Sequence, residues 1–129
     1  MAIKKYYVVV DNFGTTRWYK DTKCNILHRE NGPAIEYADG DKFWLQDGLL
    51  HRTDGPAIER ANGDIEWWQK DQAHRENGPA IEQSDGATVW FISGKQMSEA
   101  EFLAATQPVV ELTVADVEKL VGKRVKIIK

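Results

Sequence analysis

The chain has 129 residues, 42% of them apolar and 29% charged, with 17 Lys and Arg against 20 Asp and Glu and a formal net charge of −3. That length fits one domain, large enough to bury roughly two thirds of its unfolded surface without help from a metal or disulfide. The single Cys24 excludes a disulfide framework and a Cys-rich zinc site, no apolar run approaches the ~20 residues of a membrane span, and the acidic balance argues against general nucleic-acid binding.

Met1-Ala2-Ile3-Lys4-Lys5 leads into a strand-like run, Tyr6–Val10, and lacks the layout of a signal peptide, so a cytoplasmic location is expected. Trp18-Tyr19-Lys20 begins a partial repeat unit. Residues 28–36 then read HRENGPAIE, residues 51–59 HRTDGPAIE and residues 74–82 HRENGPAIE, each offset from the last by 23 positions. Asp39-Gly40, Asn62-Gly63 and Asp85-Gly86 form a further column in the same register, as do Trp44, Trp67 and Trp90. Such self-similarity marks an array of supersecondary units. It frays at both ends. Three extra residues separate Trp18 from His28, and Met97-Ser98 stand where His-Arg would recur.

Each unit reads as two short strands. The Asp/Asn-Gly pairs predict two-residue hairpin turns, and Asp47-Gly48 and Ser93-Gly94 a second set. In the Asn/Asp-Gly-Pro corner, glycine is expected to supply an unusual backbone angle and proline to limit strand extension. Runs such as Lys42–Gln46 and Ile65–Gln69 carry aromatic and β-branched residues suited to a pleated surface. The predicted architecture over 1–97 is an antiparallel meander of serial hairpins. Over 98–129 the same domain gains a small helical cap. Ser98-Glu99-Ala100-Glu101 is a capping box, Gln107-Pro108 ends that helix, Thr113 opens a second with Gly122 as its stop, and Lys123–Lys129 alternates like an edge strand.

The 23-residue period, with its Trp strand and two Gly-closed turns, resembles the MORN-like repeat family. The HRxxGPA variant is similar to small proteins of bacteriophages and large DNA viruses, over roughly residues 15–97. The resemblance implies serial β-hairpins and a role in contacting other proteins or lipids, and implies no conserved chemistry. His-Arg and Gly-Pro-Ala replace the small residues usual in that family, so lipid binding is not carried over, and no membrane partner is expected.

Three columns are candidates for chemistry. Equivalent histidines (His28, His51, His74) should lie two strands, or ~10 Å, apart, too far to converge on a zinc ion. No metal or other cofactor is expected, and a hydrogen bond to the neighbouring Gly-Pro turn is. Arg29, Arg52 and Arg75 offer either a row of anion contacts or an ion pair with the Glu of the same unit (Glu36, Glu59, Glu82). Trp44, Trp67 and Trp90 share one strand face, with Phe43 and Trp68 on the other, and an uncovered aromatic stripe would be a protein-binding site or a homodimer seam. Cys24 and His28 have no visible oxyanion hole or orienting acid beside them, so no enzyme activity is expected. A DNA-like row of Glu36, Glu59 and Glu82 is interrupted by basic residues. The resulting expectation is a non-enzymatic phage-type protein that blocks a host protein in the cytoplasm, for instance a defence inhibitor of anti-CRISPR type. The alternatives are a nucleotide sponge using the His-Arg columns, or a homo-oligomeric assembly protein pairing by its sheet edge.

Overall fold

The computed structural model describes residues 5–107 and 112–121. Strands β1 (Tyr7–Val10) and β2 (Thr16–Tyr19) open the chain. They are followed by β3 (Ile35–Glu36), β4 (Lys42–Phe43), β5 (Leu45–Gln46), β6 (Leu49–Leu50), β7 (Ile58–Glu59), β8 (Ile65–Glu66), β9 (Trp68–Gln69) and β10 (Gln72–Ala73). Then come β11 (Ile81–Glu82), β12 (Thr88–Ile92), β13 (Lys95–Met97) and helices α1 (Glu99–Thr106) and α2 (Val114–Val121). Among the described residues, nine strands form one antiparallel sheet in the order β1-β2-β3-β4-β7-β8-β11-β12-β13. Hairpins β5–β6 and β9–β10 stand outside it. The serial-hairpin meander is therefore present, but in two rows.

The rows part at the tryptophan column. The Trp44 N–H donates to the Ala57 carbonyl and the Trp44 carbonyl accepts from the His51 N–H, at 2.7 and 3.1 Å. Trp67 repeats this with Ala80 and His74 at 2.6 and 3.0 Å. The strands expected to run unbroken over Lys42–Gln46 and Ile65–Gln69 are thus divided, because Trp44 and Trp67 each bond to both rows. The strand of the last tryptophan, β12, stays continuous, pairing with β11 through Val89 and Thr88 and with β13 through Trp90–Ile92. The second row is tied hairpin to hairpin, as by the Asp71 N–H to the Leu50 carbonyl and the Gly94 N–H to the Ala73 carbonyl, both at 2.9 Å. The Ala of each Gly-Pro-Ala, at 34, 57 and 80, is wholly buried, and Ile35, Leu45, Ile58, Ala73 and Phe102 are buried with them.

The turns differ between rows. Second-row turns are two-residue, with positive φ at both positions in Asp47-Gly48, Lys70-Asp71 and Ser93-Gly94. In the first row the closing pair is Tyr37–Asp41 and the Gly40 N–H donates to the Tyr37 carbonyl at 3.0 Å, so the loops are three-residue, not two. Glycine takes the left-handed position there, with φ of 104° at Gly40. Successive first-row turns are clamped by carboxylates: Asp41 Oδ1 accepts the Ala61 N–H and Asp64 Oδ1 the Ser84 N–H, both at 2.7 Å. The Ser84 N–H holds the Asp64 carboxyl below the usual carboxylate range. The extra residues of the first unit are closed by Asp21, whose carboxylate accepts the N–H groups of Asn25 and Ile26.

The capping box at Ser98 is formed in both directions, with Ser98 Oγ accepting the Glu101 N–H and Glu101 Oε1 the Ser98 N–H. Gln107 caps the other end of α1. Thr113 and Asp116 cap α2 reciprocally. Pro108, the Gly122 stop and the expected strand Lys123–Lys129 lie outside the described residues. No helix among the described residues is long and apolar enough to cross a membrane.

Candidate functional site: tryptophan-floored grooves

The arginine column is built into the tryptophan column. The Arg29 guanidinium lies 3.8 Å from the Trp18 ring centroid, Arg52 4.1 Å from that of Trp44, and Arg75 4.0 Å from that of Trp67. On its other side each meets a glycine backbone. A Cβ added to Gly32, Gly55 or Gly78 would fall 2.7, 2.6 or 2.9 Å from the guanidinium carbon. None of these three glycines has a positive φ. The expected unusual angle in the Gly-Pro corner is therefore replaced by another reason for glycine: the planar cation packs flat against it. Each Nη1 also donates to the carbonyl four residues on and the carboxylate seven residues on, as from Arg52 to the Pro56 oxygen at 3.0 Å and Glu59 Oε1 at 3.1 Å. Arg29 and Arg75 repeat this with Glu36 and Glu82, which is the intra-unit ion pair that the co-repeating acid and base suggest.

The histidines bond to a different turn from the one expected. Nδ1 of His28, His51 and His74 accepts the backbone N–H of Asp47, Lys70 and Ser93, at 2.9, 3.2 and 2.8 Å. Each ring thereby fixes the second-row turn of its own unit, and Nε2 carries the proton. His74 Nε2 faces Glu76 Oε1 at 3.2 Å. Among the described residues no group of three or more His, Cys, Asp or Glu could hold a metal ion.

The stripe of tryptophans is not left uncovered. Arg52 and Arg75 lie over Trp44 and Trp67, and Phe102 of α1 lies on Trp90 with ring centroids 4.6 Å apart. Phe43 is half-buried against the core, edge-on to Tyr37. Trp68 sits in the second row, its Nε1 donating to Glu66 Oε1 at 3.1 Å. The five aromatics therefore do not make one patch. What opens to solvent instead is a pair of like grooves one repeat apart. The first, about 520 Å³, is lined by Trp44, His51, Arg52, Gln46, Glu30 and Asp54. The second, about 600 Å³, is formed by Trp67, His74, Arg75, Gln69, Asp54 and Glu76.

The rim residues carried no weight in the sequence reading. Their signal was present: Glu30/Thr53/Glu76 and Asn31/Asp54/Asn77 are the columns that vary inside an otherwise repeated HRxxGPA. The repeated letters proved to be those that build the unit, and the variable ones face outward. Asp54 and Glu76 side chains are 86% and 79% exposed. The chain matches no protein-family profile, no curated protein and no solved structure.

Proposed function

We propose that this chain is a non-enzymatic, phage-type binding protein that lies on a host protein and blocks it, inhibition of a bacterial defence complex being one instance. The observation that carries the reading is the pair of open grooves set one repeat apart, each lined by a tryptophan and by exposed acidic residues drawn from the variable columns. Open, repeated grooves whose variable residues are exposed suit an extended protein surface, whereas a small-molecule site is normally concave and encloses most of its ligand. The phage-like HRxxGPA motif supports the same reading. The guanidinium groups are already stacked and ion-paired within their units, which weighs against a nucleotide sponge built on the His-Arg columns.

Trp44→Ala is a poor test, since it removes the surface on which Arg52 stacks. The rim is the better target. Native mass spectrometry of the tagged full chain, gently purified from bacterial lysate, should show a stoichiometric protein adduct. Asp54→Lys combined with Glu76→Lys should abolish that adduct with the fold intact. An added mass of a few hundred daltons per chain, or an adduct indifferent to the rim, would overturn the proposal.

A further inference from the structure

The first-row sheet ends at β1, which has β2 on one side and no strand on the other among the described residues. Val8, Val9 and Val10 are 48, 41 and 65% exposed, and Phe13 in the adjoining turn 84%. Edge strands in proteins are commonly guarded by proline, bulges or inward charges. Tyr7–Val10 has no proline and pairs with β2 in unbroken register.

The hydrogen-bond phase of this edge follows from its neighbour. Val8 stands opposite Trp18. The Trp18 N–H donates to the Ala34 carbonyl and its carbonyl accepts from the His28 N–H, both on the side away from β1. The Asp11 N–H, by contrast, donates to the Thr15 carbonyl at 3.0 Å. Bonded and non-bonded pairs alternate along an antiparallel ladder, so Tyr7, Val9 and Asp11 bond inward, while the amides of Tyr6, Val8 and Val10 point out of the sheet.

That phase meets a self-complementary sequence. When Lys5-Tyr6-Tyr7-Val8-Val9-Val10-Asp11 is laid antiparallel on a copy of itself about Val8, Val8 faces Val8, Tyr6 faces Val10, Tyr7 faces Val9 and Lys5 faces Asp11. The outward amides fall in the bonded pairs, the apolar side chains meet apolar ones, and a cation meets an anion at each end. We propose that two copies of the chain join along β1 in this register, making one continuous sheet across an isologous two-fold interface. Opposite charges placed across strands favour a register and like charges disfavour it. Asp11 keeps its negative charge in this role because the Thr15 N–H and the Arg17 guanidinium hold its carboxyl below the usual range. The inference is independent of the grooves, and the Asp54→Lys, Glu76→Lys variant should remain dimeric.

Sedimentation equilibrium of the full chain should give twice the 14.7 kDa chain mass. Val8→Lys places two ammonium groups against each other on the axis and should return the mass to one chain, with an unchanged far-ultraviolet circular dichroism spectrum. A bonded pair on the axis sets its Cα atoms ~5.5 Å apart, within disulfide reach. In a Cys24→Ser background, Val8→Cys should therefore cross-link on mild oxidation and Val10→Cys should not. That comparison still reads out if Val8→Lys fails to fold. A monomer at every concentration, a dimer that survives Val8→Lys, or equal cross-linking at 8 and 10 would overturn the proposal.

Discussion

Arg52 is held between the Trp44 indole and the Gly55 backbone, and the same three parts recur with Arg29 and Arg75. A guanidinium stacked on an aromatic face and hydrogen-bonded at its edge combines attraction by the ring with satisfied donors. Gly55→Ala should force the guanidinium aside and cost about 1–3 kcal/mol, the range for an overpacked site. With Arg52→Ala already in place, the same change should be neutral or stabilise by up to about 0.5 kcal/mol, because Gly55 is not left-handed and alanine restricts the unfolded chain. Urea midpoints of the four proteins close this cycle, and an equal cost in both backgrounds would mean the sandwich is not why glycine is there. The sequence revealed the Arg52–Glu59 pair because acid and base repeat at a fixed spacing. It hid the stacking, since the tryptophan comes from the preceding strand, and a packing glycine beside a proline looks the same as a turn glycine.

The hairpins of the second row differ in how easily their turns form. Both turn positions require positive φ, and two of the three described turns end in glycine at 48 and 94. The middle turn has Lys70 and Asp71 at φ 47° and 66°. For an ordinary residue that region costs roughly 1–2 kcal/mol. Asp71 has a compensating contact, its Oδ1 accepting the Leu50 N–H at 2.9 Å, whereas Lys70 contributes its backbone N–H to His51 Nδ1. Lys70→Asn keeps that N–H and tolerates the left-handed region better. It should raise stability by about 0.5 kcal/mol, read as a higher thermal midpoint, while Asp71→Ala, which removes the acceptor of the Leu50 N–H, should lower it. A fall in the midpoint for Lys70→Asn would show that the lysine side chain has a stabilising role of its own. The Asp47-Gly48 and Ser93-Gly94 turns were legible from composition. The Lys70-Asp71 turn has no glycine and follows only from the register of the array, and the three-residue first-row loops depend on which backbone pair closes them.

An array of this kind holds together through contacts between neighbouring units, so its ends decide where it opens. At the N-terminal end of the tryptophan column, Tyr6 lies edge-on to Trp18 at 5.6 Å and over the His28 ring at 6.4 Å. At the other end Ser98 stands where the next arginine would be, and Phe102 takes that arginine's place on the last tryptophan, Trp90. The sequence showed that the motif stops at Met97-Ser98 and that a helix begins there. It did not show that one residue of that helix substitutes for the missing cation, because helix and strand periodicities give no register between them. Phe102 is only 2% exposed. Phe102→Ala should cost about 3–5 kcal/mol, the range for removing a buried phenyl ring. The loss should be unequal along the chain. Amide hydrogen exchange should accelerate in β12 and β13, against which α1 packs, while β3, β4 and β7 retain most of their protection, because those strands are stabilised by Ala34, Ile35, Ala57 and Ile58 within their own units. A uniform acceleration through all units would instead mean that the array opens as one cooperative block, with the closing helix felt as strongly at the first repeat as at the last.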